Sequence, residues 1–343
     1  MTSIVFGALA LRPHGSGVQT YQRELIHALT KVEGLPSFSA VVQKDSVGAL
    51  PPEVKPVTRP VGSGTRRAVE GLRPVSATLF HSLDVDLPLA QKGLTVSTVH
   101  DMSVFDTPWA MSKFRARGEQ LLLRRSLKRA DSIIAVSQFT AERIKALTGR
   151  HSTVTPLAPA AWTHIPDEAS VNRVREKYNL PKRFVFQLGT LEPRKRPDVV
   201  NDALRGLGVP LVLAGGGTDG PKRPAGAIGL GYVDREDIPA LYRAASVVAY
   251  ASSYEGFGLP PVEAMACGAV VVASAVGGIP EAVGSGACVV KRLRTSEWRA
   301  SLSAALNDAA FRSSLLDDAT LQVASLNWQA TARSTAQVYA EML

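Results

Sequence analysis

The stretch YASSYEGFGLPPVEAMACGAVVVAS, Tyr250–Ser274, carries a complete strand, turn, helix and second strand. Ser246–Tyr250 is an apolar run that reads as a strand, Pro260–Ala266 as a helix and Val270–Ala273 as the next strand. Gly256 and Gly258 open the backbone between strand and helix, and Pro260 and Pro261 suit a first helical turn whose N–H groups have no helical partner. Outward from this unit the same alternation recurs. Phe184–Leu188 and Pro210–Ala214 read as strands, Arg196–Arg205 and Asp237–Ala244 as helices. Nearer the start, Ser3–Ala8, Phe38–Val42, Thr78–His81, Leu94–His100 and Ser132–Ser137 read as strands. Val18–Val32, Ser112–Arg129 and Gln138–Leu147, the last capped by Ser137, read as helices. Strands alternating with helices predict an α/β fold with parallel sheets covered on both faces. The Pro/Ala-rich segment Thr155–Asp167 interrupts the pattern and reads as a linker, after which the alternation restarts. Two similar α/β domains are therefore expected, closed by a last helix from Trp328 to about Leu343.

Composition narrows the classes. The 343 residues are ample for two cores, and 45% hydrophobic with 20% charged residues excludes global disorder. Cys267 and Cys288 are too few for a disulfide framework or a multi-cysteine zinc site and fit a reducing, cytosolic setting. No apolar run is long enough to cross a membrane, and the opening residues have too short an apolar part, with no basic start, for a secretory signal. The net charge of +9 is unevenly spread: residues 1–165 carry 20 Lys and Arg against 12 Asp and Glu, residues 166–343 carry 19 against 18. A basic first half suits nucleic acid, an anionic membrane or an anionic substrate, and equally a merely solvated surface.

In open α/β sheets ligands bind beyond the carboxyl ends of the strands, so chemistry is sought in those loops. In RPHGSGVQTYQREL, Gly15 and Gly17 allow a ligand close to the backbone at a helix start. Thr20 occupies the place of a third glycine, which disfavours a nicotinamide site. His100 and Asp101 end a strand in TVHDMS; a lone histidine there is more often structural than catalytic. In QLGTLEPRKRPD, Arg194, Lys195 and Arg196 follow a strand and a glycine, a good position for an anion site. In the opening stretch, Glu255 precedes the glycine turn and Glu263 lies on the helix eight residues later. A helix start suits a diphosphate, and a carboxylate one turn in can accept from both ribose hydroxyls. Glu263 is equally a first-turn glutamate favoured by the helix dipole.

EGFGLPPVEAMACG resembles the Glu-x7-Glu signature of family-four retaining glycosyltransferases of the GT-B fold (glycosyl transferases group 1). HGSGVQTYQREL is similar to that family's N-terminal glycine loop, STVHDMSVF to its strand-end His-Asp, and ADSIIAVSQFTAERI to its Ser-capped helix. GTLEPRKRPD resembles its Arg-Lys phosphate motif, SAVGGIPEAVG the stretch after its donor helix, and NWQATARSTAQVYAEM its closing helix. The matches follow the family's order over most of the chain.

The resemblance implies two Rossmann-like, doubly wound domains facing across a cleft. Residues 1–160 would bind the acceptor, 161–327 the nucleotide sugar, and 328–343 would cross back to the first domain. It implies that Arg194 and Lys195 neutralise the diphosphate leaving group, that Glu263 holds the ribose, and that Glu255 binds the donor sugar near the reacting carbon. Gly256 opens that loop, and backbone N–H groups of Phe257, Gly258 and Leu259 contact sugar or phosphate. His100 meets sugar and acceptor, and Gly15 and Gly17 admit the diphosphate. Transfer is expected to retain anomeric configuration by a front-face route, without a metal or other cofactor, since Arg194 and Lys195 would supply the charge a divalent ion otherwise brings. The implied donor is a nucleotide-diphosphate sugar, best read as GDP-mannose, and the acceptor a glycan or lipid-linked glycan. Two departures stand out: Ala158 replaces a glycine common in the linker of relatives, and Arg196 replaces an asparagine common after the lysine.

Other functions on the same fold are a sugar-nucleotide-binding protein, a phosphorylase or an epimerase without glycosyl transfer; turnover distinguishes them. Nucleic acid binding lacks a helix-turn-helix or interleaved aromatic and basic residues. The helix Ser112–Arg129 combines leucines with Lys113, Arg115, Arg117, Arg124, Arg125, Lys128 and Arg129. That pattern suits peripheral association with an anionic membrane on the cytoplasmic side, or a core helix with a solvated basic face.

Overall fold

The computed structural model describes residues 3–12, 15, 17–84 and 87–343. The chain forms two compact units, Met1–Leu157 with Asn327–Leu343, and Ala158–Leu326.

In the first unit β1 (Ser3–Gly7), β2 (Ser37–Gln43), β3 (Lys55–Arg59), β4 (Leu79–Ser82), β5 (Leu94–Val99), β6 (Ser132–Ala135) and β7 (Thr153–Val154) form a parallel sheet in the order β3-β2-β1-β4-β5-β6-β7. Nearly every residue of β1, β4 and β5 is buried, as expected of parallel strands covered on both faces. β3 and the helix Gly64–Gly71 were not read from the sequence. KPVTR contains a proline and alternates weakly because it lies at the sheet edge, paired among the described residues with β2 alone. The terminal helix Trp328–Met342 packs on Val18–Leu29 in this unit, and Thr331 Oγ1 donates to the Pro156 carbonyl at 2.6 Å.

A buried polar chain ties that helix to the sheet. The Tyr339 hydroxyl lies 2.5 Å from His81 Nδ1, His81 Nε2 lies 2.8 Å from Thr98 Oγ1, and Thr98 Oγ1 lies 2.8 Å from the Tyr21 hydroxyl. Burial in this tightly packed site, with His100 nearby, lowers the His81 pKa to about 3, so the imidazole is held neutral.

In the second unit β8 (Val185–Leu188), β9 (Leu211–Ala214), β10 (Ile228–Gly229), β11 (Val247–Tyr250), β12 (Val271–Ser274) and β13 (Cys288–Val290) form a parallel sheet ordered β10-β9-β8-β11-β12-β13. Trp298, fully buried on the helix Thr295–Asn307, anchors one face of its core with Leu302, Val247 and Val272. The segment 155–167 holds no helix or strand, and the helix Glu168–Lys177, unread in the sequence, begins where Asp167 accepts from Ser170 N at 2.8 Å.

Both sheets follow the doubly wound order, reversing direction between β1 and β4 and between β8 and β11. A crevice opens at such a reversal, where the loops leaving the two strands diverge to opposite faces.

Candidate active site

In the second unit the reversal brings together the loops after β8 and β11. The first carries Arg194 and Lys195, the second Glu255. Arg194 joins them: its Nη1 donates to Glu255 Oε1 at 2.9 Å and to the Tyr254 carbonyl at 3.2 Å, and its Nε donates to Glu192 Oε2 at 2.9 Å. The main chains are tied as well, with Ser253 N donating to the Arg194 carbonyl at 2.7 Å. Glu255 Oε1 also accepts from Ser252 Oγ at 2.8 Å, and the Ser252 carbonyl accepts from Ser274 Oγ, on β12, at 2.6 Å. A hydrogen-bonded chain thus runs from β12 through Ser252 and Glu255 to Arg194.

Lys195 is placed by a glycine. Gly189 has φ +142°, and a Cβ there would lie 2.5 Å from Lys195 Nζ, so the ammonium rests over bare backbone at the end of β8. The Lys195 carbonyl accepts from Gln187 Nε2 at 3.0 Å, and among the described residues Lys195 has no ion-pair partner. Arg196 departs from the expected run of three cations. It takes a left-handed φ of +41° and turns away to Asp198, reached through Nη2 at 2.7 Å. Left-handed backbone favours asparagine among non-glycine residues, so arginine is held here against its usual preference. Arg196 thus points toward Asp198 and does not extend the pair Arg194–Lys195.

The Glu255 loop is shaped by packing against the next one. A Cβ on Gly277 would meet the Glu255 carbonyl oxygen at 1.8 Å, and one on Gly278 the Gly256 carbonyl oxygen at 2.3 Å. Gly278 N donates to the Glu255 carbonyl at 3.1 Å. Gly258, at φ +100°, caps the helix Leu259–Ala266, and a side chain there would strike Ile279. Phe257 and Leu259 are buried, and the N–H groups of Phe257, Gly258 and Leu259 close no hydrogen bond among the described residues. Glu263 is buried within that helix, beside Tyr242 and Tyr250, whose hydroxyls lie 2.9 Å apart. Burial foremost, with the Glu263 charge contributing, holds both phenols un-ionised.

Several residues of this site were missed in the sequence. Ser252 and Ser274 act through contacts between separate strands. Gly277 and Gly278 were quoted only as part of a resemblance, although a paired glycine before Ile-Pro is itself a signal of close backbone approach. Tyr232 follows β10 and is 86% exposed, with its hydroxyl 2.8 Å from where a Gly216 Cβ would sit; the loop after β9 must be bare for the ring to lie there.

His100, Gly15 and Gly17 belong to the first unit. Gly17, at φ +60°, caps the helix Val18–Leu29, and its Tyr21 ring meets the His100 ring edge-on with centroids 4.7 Å apart. His100 Nε2 lies 3.0 Å from the Leu83 carbonyl, which can only accept, so Nε2 carries the proton. Pro13, His14 and Ser16 of the glycine loop lie outside the described residues.

The family described as glycosyl transferases group 1 matches residues 170–320. The O-antigen chain mannosyltransferase B of Escherichia coli is 32% identical over 294 residues, covering 80% of this chain and 77% of that protein. Among solved structures, a sucrose-phosphate synthase from Thermosynechococcus elongatus superposes with a TM-score of 0.77 at 21% identity, covering 99% of both chains. Anabaena Alr3699/HepE, solved in complex with UDP-glucose, superposes with a TM-score of 0.74 at 19% identity, covering 99% of this chain and all (100%) of that one.

Proposed function

From the premise that this chain belongs to the glycosyl transferases group 1, a hexosyltransferase of the GT-B fold, we propose that it moves mannose from GDP-mannose to a glycan or lipid-linked acceptor, with retention and without a metal. The observation that carries this reading is the Arg194–Glu255 pair at the β8–β11 reversal, with Lys195 Nζ laid over Gly189 beside it. The similarity to an O-antigen chain mannosyltransferase supports mannose as the sugar.

Cleaving the bond from sugar to phosphate builds positive charge on the ring and negative charge on the departing diphosphate. Cations and N–H groups already in place at the diphosphate lower that barrier because nothing need reorganise as the charge develops. Lys195 and Arg194 supply the charge, and the N–H groups of Phe257, Gly258 and Leu259 supply donors at a helix start. This charge takes the place a divalent ion would otherwise fill. Glu263 accepts from the ribose hydroxyls, and the exposed ring of Tyr232 offers a stacking face to the base. Glu255, held by Arg194 and Ser252, is a carboxylate whose charge is shared, which suits binding donor hydroxyls rather than attack on the sugar. The acceptor oxygen bonds to the anomeric carbon on the face from which the diphosphate departs, and the leaving phosphate takes its proton, so the configuration is retained. His100, whose Nε2 is engaged by the Leu83 carbonyl, serves the acceptor side in the first unit.

Thermal shift with GDP, UDP and dTDP tests the nucleotide. Stabilisation by GDP alone is expected; stabilisation by UDP or dTDP in its place removes the GDP assignment. Mass spectrometry of products from GDP-mannose and a lipid or glycan extract tests transfer. Donor binding without any mannosylated product, in the wild-type chain, would assign it to sugar-nucleotide binding.

A further inference from the structure

The helix Lys113–Arg129 presents an apolar line where a surface helix should be polar. Its inward face is ordinary: Ala116, Leu123 and Leu127 are buried, and Ser126 Oγ lies 2.7 Å from Ser97 Oγ on β5. Phe114 and Leu121 are 91% and 70% exposed. Seven residues apart, they stand two turns from each other along one line opposite the buried face. Trp109, 61% exposed, lies in the turn just before the helix.

Cations surround this line. Three of the seven on the helix have partners: Arg115 pairs with Glu119 at 2.7 Å, Arg124 lies over the Phe105 ring, and Arg125 donates to the Leu87 and Pro88 carbonyls. Lys113, Arg117, Lys128 and Arg129 are exposed and have no acidic partner among the described residues. Glu119, already paired, is the sole acid on the helix.

Exposed aromatic and leucine side chains within a field of unpaired cations match the boundary between anionic headgroups and acyl chains. A second copy of the chain fits poorly, because a two-fold interface would set these cations against their own equivalents. We propose that this helix docks the protein on an anionic phospholipid surface. Phe114, Leu121 and Trp109 enter the headgroup–acyl boundary, and Lys113, Arg117 and Lys128 face the phosphates. The inference deepens the lipid-linked acceptor proposed above but is tested without donor or acceptor.

The test is co-sedimentation of the whole chain with phosphatidylcholine vesicles and with phosphatidylcholine–phosphatidylglycerol vesicles, at low and high salt. Selective, salt-sensitive binding to the anionic vesicles is expected. Arg117→Ala or Lys128→Ala is expected to weaken partitioning about fivefold each, and the double variant Phe114→Ser/Leu121→Ser tenfold or more. Unchanged melting temperatures of the variants separate these losses from misfolding. Equal binding to neutral vesicles, full binding by the Phe114/Leu121 variant, or a salt-stable dimer in place of vesicle binding overturns the proposal. A chain that binds anionic vesicles through these residues yet is stabilised by no nucleoside diphosphate leaves this inference standing and removes the proposed function.

Discussion

Arg194 and Glu255, 61 residues apart in sequence, meet at 2.9 Å through Nη1 and Oε1 and join the loops leaving β8 and β11. Both side chains are partly exposed, at 27% and 19%. Their mutual attraction is therefore modest, and their main effect is to hold a cation and a carboxylate at set positions on the reversal of the sheet.

A double-mutant cycle on Arg194→Ala and Glu255→Ala is expected to give a coupling of about 1 kcal/mol in unfolding free energy. The effect on turnover should be far larger than on stability. Lys195→Ala should lower kcat by about 100- to 1,000-fold while leaving the melting temperature nearly unchanged, because the ammonium acts on charge that develops in the transition state. Steady-state kinetics with the preferred donor, beside thermal unfolding, checks both.

Arg196→Asn is expected to leave donor KM within about threefold of wild type, a change worth less than ~1 kcal/mol. The left-handed backbone accepts asparagine more readily than arginine, and the charge removed is one already occupied by Asp198. A large rise in KM would instead place Arg196 on the phosphate.

Gly277→Ala is expected to destabilise the second unit by about 2 kcal/mol or more and to weaken nucleotide binding in parallel. The new Cβ would overlap the Glu255 carbonyl oxygen, and φ is +59° at that position, so the Glu255 loop must shift to make room. Denaturant unfolding and nucleotide titration report the two losses together.

Stability should fall on acidification through His81. An unfolded histidine titrates near 6.5, whereas burial lowers His81 to about 3. Between these values the unfolded chain takes up a proton that the folded chain refuses. The folded state is therefore favoured fully above about 6.5 and progressively less as the pH drops toward 3. At pH 4.5 the loss from this residue is on the order of 2–3 kcal/mol. His81→Gln keeps polar atoms for Tyr339 and Thr98 but removes the titration, so its stability should be lower at neutral pH yet vary less between pH 6.5 and 4.5. Chemical denaturation of the two proteins across that range checks the difference in slope.

Much of this molecule is legible in local pattern. Apolar runs such as Val247–Tyr250 and glycine–proline punctuation such as Gly256–Pro261 state burial and turn conformation over a few residues, and those are the residues on which the α/β alternation and the resemblance rest. The edge strand Lys55–Arg59 escaped that reading because its half-exposed side chains carry little apolar signal. Which loops become neighbours is another matter. That depends on strand order, set by crossovers that bury whole sheet faces, and it alone brings Arg194 to Glu255 and Ser274 to Ser252. It also turned one of three adjacent cations away: three basic residues in a row look alike in sequence, but a left-handed residue and a nearby aspartate set Arg196 apart. The sequence by itself determined the element types and the chemistry present; the tertiary structure decided which groups share a site, because the packing energies that choose among crossovers arise between residues far apart in the chain.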